Sequence, residues 1–349
     1  MNYFKNLYLY AIDLLGIKLK KKYTVGGLFS GVGGLELGFI NAGFEVLCAI
    51  ELDKNCAKTY RNNYQHHLYE KGIEELSGKE LKPVDILCGG FPCQAFSIAG
   101  YQKGFEDERG NVFFEIVRLV KELKQKPKVL FLENVANLRT HDKGNTFKRI
   151  CEEIYKLGYS IFSDILNTAD YTSIPQNRER TFLICFRDEK DWDFNPKRNK
   201  YSKDFSEIFP PKKTKQLNHI SKYFEKDVDE YYYYHQDKYM YPELSKSIKS
   251  KDTLYQWRRV YVRENKNNMC PTLTANMGTG GHNVPLLKDD LGIRKLTPRE
   301  CFNFQGFPKS FKFPKDMANT QLYKQAGNAV TVKLIEKLAK NIKIVLDNN

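Results

Sequence analysis

A chain of 349 residues can bury one large core, or one core and a smaller satellite, and the two-domain reading fits this length better. With 41% hydrophobic residues, 28% charged residues and an abundance of Tyr and Phe, the composition excludes global disorder. The formal net charge of +14 favours a polyanionic partner, nucleic acid first, although charge alone leaves a plain solubility role equally open.

The opening 22 residues carry their charges behind the apolar part, with Asp13 inside it, the wrong order for a signal peptide. Leu7, Ala11, Leu14 and Leu15 fit one face of a short helix. No apolar run is long enough to span a bilayer. From Thr24 to about Arg187, the runs TVGGLFS, FEVLCAIE, VDILCGG, KVLFLENV and TFLICFR read as buried strands, and GNVFFEIVRLVKELK and NTFKRICEEIYKLG as helices. That alternation predicts an α/β, doubly wound sheet. From about Asp188 the periodicity degrades into basic, aromatic and Gly/Asn-rich segments, which predicts a second, smaller and irregular domain. Regular character returns near Leu296, and NAVTVKLIEKLAKNIKIVL predicts a closing amphipathic helix packed back on the first domain. The organisation expected is 1–190 for the first domain, 191–293 for the second, 294–317 as a hinge and 318–349 as the return.

Eight cysteines are scattered without a CxxC or a finger-spaced Cys/His pair, so neither a metal site nor a disulfide framework is expected. A reduced, cytoplasmic protein follows from that usage.

Four motifs carry chemistry. In LFSGVGGLELGF (28–39), Gly31, Gly33 and Gly34 sit where the first strand turns into a helix, so backbone can approach a ligand at a helix N-terminus. Glu51 follows about 20 residues on, placed for a ribose hydroxyl pair. The spacing is not G-x-G-x-x-G, and a tight structural turn is the plain alternative. In GGFPCQAFSIAG (89–100), a proline fixes the backbone before Cys93, and Gly89, Gly90 and Gly100 let the loop move. A cysteine is more often a small buried hydrophobe, but this one lies in a polar loop after a strand, where such sheets place their sites. FLENV ends a strand with Glu133, either a solvated carboxylate or one able to hold a proton. IPQNRERTF (174–182) sets Arg178 and Arg180 on one face of a strand entry, where structural ion pairs are equally open.

These four, followed by RKLTPRECFNFQGFP (294–308) and YKQAGNAV (323–330), resemble in order the blocks of the cytosine-C5 DNA methyltransferases of bacterial restriction-modification type. PTLTANMGTGG is similar to the segment that ends that family's target-recognition domain, and only about 188–270 lacks family patterning. The resemblance implies a Rossmann-like methyltransferase sheet with a target-recognition domain, acting on double-stranded DNA as a monomer with S-adenosyl-L-methionine. A restriction endonuclease acting on the same site is the companion it implies. It assigns Cys93 as nucleophile at C6 of a flipped-out cytosine, Glu133 at N3, and Arg180 with Arg178 at O2 and the neighbouring phosphate. To the cofactor it assigns Phe29, Gly31, Gly33, Glu51, Leu52, Ile73, Gly90, Pro92 and Asn328. One departure stands out: the family has an acid before an apolar residue for the adenine amino group, whereas here Gly72 precedes Ile73. Backbone or Glu74 is the alternative.

For DNA the expected contacts are Gln94 and Ser97 in the nucleophile loop and Arg258, Arg259, Arg263, Asn276, Thr279 and His282 in the second domain. For each of these six, phosphate contact, base readout and a plain surface role all stay open. A nicotinamide-dependent enzyme needs another glycine spacing and gives Cys93 no role. A catalytically silent DNA-binding protein is disfavoured by the intact blocks. A tRNA cytosine-C5 methyltransferase of the same fold is the nearest alternative, against which the long 188–293 segment argues.

Overall fold

The computed structural model describes residues 22–91, 112–187, 208–212, 216–258, 260–279 and 284–348. The expected N-terminal helix lies outside them. Among the described residues there are twelve strands and nine α-helices, of which the short Thr168–Tyr171 turn carries no label. The first sheet comprises β1 (Thr24–Leu28), β2 (Glu45–Ile50), β3 (His67–Tyr69), β4 (Ile86–Gly90), β5 (Val129–Val135), β6 (Tyr159–Asn167) and β7 (Glu179–Arg187). Its order is β3-β2-β1-β4-β5-β7-β6, with β7 antiparallel to both neighbours and the other pairings parallel.

Helices cover both faces, which is why the parallel strands read as continuous apolar runs. On one face lie α3 (Val112–Glu122), contributing Ile116, Leu119 and Val120, and α4 (Asn145–Lys156), contributing Phe147, Ile150 and Ile154. On the other, α1 (Gly34–Asn41) brings Leu35 and Phe39 against Leu334, Ile335, Leu338 and Ile342 of the closing helix α8 (Val332–Asn348). α2 (Lys54–Arg61) follows β2 and is N-capped by Asp53, which accepts from the backbone N–H of Asn55 and Cys56.

Two strands in this sheet differ from the sequence expectation. In β6 the polar Ser160, Ser163 and Asp164 interrupt the apolar pattern, and β3 is a three-residue edge strand with His67 exposed. The closing segment also divides. α7 (Asn319–Asn328) ends at Asn328, Ala329 is extended, and α8 starts only at Val332. Thr331 holds the break, its hydroxyl 2.8 Å from that of Thr168.

Where irregular chain is expected, the structure has a second, antiparallel sheet of order β10-β9-β11-β12-β8. Its strands are β8 (Tyr233–Tyr234), β9 (Leu254–Arg258), β10 (Tyr261–Asn265), β11 (Leu286–Lys288) and β12 (Ile293–Lys295), each too short to show a period. α5 (Tyr241–Ser247) lays Leu244 against Tyr255, Trp257, Leu286 and Ile293. A buried ion-pair network ties this sheet to α6 (Pro298–Phe304): Arg294 forks onto Glu300 at 2.8 and 2.9 Å and reaches Asp289 at 2.6 Å. Thr297 and Glu300 form the capping box that starts α6, with proline at its first turn.

Candidate active site

At the C-terminal ends of β1, β2, β4 and β5 the described residues enclose a cavity of about 700 Å³, the position at which doubly wound sheets bind ligands. Its floor is the turn after β1. Phe29 (φ 52°) and Gly31 (φ 55°) are left-handed, and a side chain at Gly31 would meet nothing within 4 Å. Phe29, Ser30 and Gly31 line the cavity. Gly33, expected beside the cofactor, is not among the residues that line it. A Cβ there would stand 2.3 Å from Tyr64 Cε2, and the Tyr64 hydroxyl donates to the Gly33 carbonyl at 2.8 Å. Gly33 thus permits a tight packing contact, and Gly34 takes its place in the wall.

Glu51 closes one side. Its carboxylate accepts from the backbone N–H of Gly31 and of Asp53, both at 2.6 Å, while burial pushes its pKa up. Each carboxylate oxygen keeps a second lone pair for a hydroxyl. Leu52, Ile73, Gly90 and Asn328 also line the cavity. Asp53 and Lys324, neither singled out by the sequence, pair at 2.8 Å across its mouth.

The departure at Gly72 has a structural counterpart. A Cβ at Gly72 would fall 2.0 Å from Glu74 Oε1, so the Glu74 carboxylate occupies the space a side chain at residue 72 would take. Both residues line the cavity.

Across from Glu51 stand Gly90 and Glu133, paired in register between β4 and β5, and Arg180, paired with Val135. Glu133 is 8% exposed. Arg180 Nε lies 3.1 Å from Glu133 Oε1, an ion pair whose angle leaves that oxygen without a formed hydrogen bond. A buried carboxylate oxygen in this state, at a cavity wall, is open to a hydrogen bond from a ligand. Asn134, which sequence reasoning passed over though it adjoins Glu133, sends its Nδ2 to the Phe91 carbonyl at 2.9 Å. That bond fixes Phe91, the last described residue before Pro92. Pro92, Cys93, Gln94 and Ser97 themselves lie outside the described residues.

Arg178, which the sequence groups with Arg180, is engaged by backbone carbonyls. The residue is 2% exposed, and its guanidinium donates to the carbonyls of Leu273 (2.8 Å), Gly327 (3.1 Å) and Ala329 (2.6 Å). It clamps the return segment and the PTLTAN segment onto the sheet. The side chain borders the cavity, but the donors that make those bonds are committed to backbone.

A second cleft, of about 900 Å³, opens between the β9–β10 hairpin and the Asn177 and Thr272–Asn276 region. Arg258, Arg263 and Asn276 line it, together with Gln256 and Lys266, which the sequence did not single out. Thr279 instead closes a turn, its hydroxyl donating to the Asn276 carbonyl at 2.7 Å. Arg259 and His282 lie outside the described residues. Among the described residues no helix is long and apolar enough to cross a membrane.

Comparison with known proteins places this geometry. The family model of the C-5 cytosine-specific DNA methylases matches residues 23–344. The chain is 49% identical over 321 residues to the Type II methyltransferase M.Bsp6I of Bacillus sp. (strain RFL6), covering 91% of this chain and 98% of the relative. It is 35% identical over 345 residues to the Type II methyltransferase M.HhaI of Haemophilus parahaemolyticus, covering 93% and 97%. In fold it is similar to the crystal structure of S. pombe Dnmt2 methyltransferase, with a TM-score of 0.71 at 18% identity, over 94% of this chain and 99% of the other.

Proposed function

The chain belongs to the C-5 cytosine-specific DNA methylase family and is a DNA cytosine-C5 methyltransferase, and from that premise we propose how its residues divide the work. S-Adenosyl-L-methionine is the cofactor we assign to the 700 Å³ cavity. The fit rests on the open backbone at Gly31, the Glu51 carboxylate facing a diol position, and the Glu74 carboxylate over Gly72, which replaces the family's adenine-binding acid. Bound there, it supplies the methyl group.

The single observation that carries the catalytic reading is the placement of Glu133, with a buried, unsatisfied oxygen beside Arg180, at the strand end next to the entry of the Cys93 loop. Cytosine C5 is electron-poor, and C6 is stacked inside a duplex, so the base is flipped into the cavity before reaction. The Cys93 thiolate then adds to C6. Glu133 places a proton on N3 as charge develops, and Arg180 holds Glu133 in position and reaches the O2 edge. Once C5 carries the methyl group, its proton is lost to solvent, the thiolate leaves by β-elimination and N3 returns its proton to Glu133, which restores both Cys93 and the acid.

The second sheet and the 900 Å³ cleft supply target recognition, with Arg258, Arg263 and Asn276 facing DNA. The relatives named as Type II methyltransferases support a role as the modification partner of a restriction endonuclease acting on the same site. A monomer in the cytoplasm is the form in which we expect it to act. Bisulfite sequencing of DNA from cells expressing the chain tests the activity and reads its target: protected cytosines in one recurring sequence are expected, and their absence from DNA would leave the tRNA alternative standing.

A further inference from the structure

Glu36, at the third position of α1, is 0% exposed, and neither of its carboxylate oxygens has a hydrogen-bond partner of good geometry among the described residues. The carboxylate folds back beneath the β1 turn: a Cβ on Gly27 would fall 1.9 Å from its Oε1 and 2.7 Å from the buried Ser30 hydroxyl, the one side-chain donor beside it, which is close enough to favour the anion without forming a hydrogen bond of good geometry. Ser30, beside Glu36, also lines the cofactor cavity, as do Gly34 and Leu35 on the helix turn that carries Glu36. Among the described residues no cation pairs with this carboxylate. The titratable groups facing it are Glu51 and Cys48 from β2, Cys88 from β4, and Tyr60 and Tyr64 from α2 and the turn after it. α8 meets α1 at Gly38 through Ile335, and its nearby Glu336 is paired with Lys333 and Lys340.

An uncompensated carboxylate one residue behind a ligand cavity responds to the charge of the ligand. Resting on the cofactor reading above, we propose that Glu36 holds a proton before cofactor binds and releases it to solvent when a sulfonium-bearing cofactor enters, so that the site prefers the cationic methyl donor over its neutral thioether product. The two ligands share every other charged group, so the sulfonium is what Glu36 distinguishes. Burial, with a smaller contribution from Glu51, pushes the Glu36 pKa up to about 7, against the Ser30 hydroxyl and the helix N–H that favour the anion. At neutral pH the group is thus poised between its two states.

Calorimetric titration of the full chain with S-adenosylmethionine and with S-adenosylhomocysteine, in two buffers of different ionisation enthalpy at pH 7, counts the protons released. The wild type releases more proton with the sulfonium compound than with the thioether, and its preference for the former rises as pH goes from 6 to 8. Glu36→Gln, which keeps the shape and removes the titration, abolishes the proton difference and lowers the preference by about tenfold, the order expected for one nearby charge in a partly screened interior. A proton difference that persists in Glu36→Gln would come from Glu51 and overturn the proposal. If the variant does not fold, the wild-type pH series decides alone, and a flat preference overturns it. Failure of both ligands to bind the wild type overturns the cofactor reading as well, whereas binding without a proton difference overturns this proposal only.

Discussion

Asn134 Nδ2 donates to the Phe91 carbonyl at 2.9 Å, joining the strand end that carries Glu133 to the last described residue before the segment that carries Cys93. Its Oδ1 meanwhile accepts from the Val135 backbone N–H at 2.8 Å, which fixes the amide orientation. One side chain at the cavity wall therefore ties the Glu133 strand end to Phe91, and on the catalytic reading proposed above it is a positioning residue for both. Replacing it by alanine should loosen the loop anchor and lower kcat by between about tenfold and a hundredfold, as small misplacements of reacting groups do, with cofactor affinity retained. Single-turnover kinetics beside calorimetry separates the two, and unchanged kcat would remove Asn134 from this role.

Arg178 and Arg180 should behave oppositely although two residues apart. Arg178→Ala leaves three buried carbonyls without their donor and should cost about 3 to 5 kcal/mol of stability, in the range of broken buried networks. Arg180→Ala, which removes the Glu133 partner at the cavity, should abolish most activity with a much smaller loss of stability. Urea denaturation with activity assays on both variants makes the comparison, and a stability loss of equal size at both positions would contradict it.

Stability should depend on pH through Glu36. Its carboxyl titrates near 7 in the folded chain against about 4.5 for an ordinary glutamate, so the native state binds more protons than the unfolded one between those values. Stability associated with this group is therefore complete below about pH 4.5 and falls as pH rises through 7, by about 3 kcal/mol in total. Glu36→Gln should flatten that part of the profile, and denaturation curves at pH 6 and 8 that keep the wild-type difference would refute it.

Glu51→Ala should weaken S-adenosylmethionine binding by about 1.5 to 3 kcal/mol, the worth of a hydrogen bond to a charged group. It also frees the N–H groups of Gly31 and Asp53 that shape the turn. Calorimetry showing unchanged affinity would take Glu51 out of the cofactor site.

Much of the site was legible because a doubly wound sheet delivers strand ends to one place, and the chain puts its glycines, Glu51, Gly90 and Glu133 at those ends. What spacing cannot show is where a side chain goes once it leaves the backbone. Arg178 shares a motif with Arg180, yet its partners lie 95 to 151 residues away in sequence. Gly33 looks like its neighbours Gly31 and Gly34 until Tyr64, from beyond α2, is seen packed over it. The second sheet escaped for another reason: strands of two to five residues carry too little alternation to read, and their order depends on pairings between distant segments.

The central claim, that Cys93 attacks C6 at a site framed by Glu133 and Arg180, is tested most directly by duplex DNA carrying 5-fluorocytosine at the target position with S-adenosylmethionine present. Fluorine at C5 cannot leave as a proton, so the adduct persists, and a complex resistant to denaturation and mapped by mass spectrometry to Cys93 is predicted. Cys93→Ser should form none, since a hydroxyl is a far weaker nucleophile at neutral pH. An adduct that survives in Cys93→Ser, or that maps to another cysteine, would contradict the account.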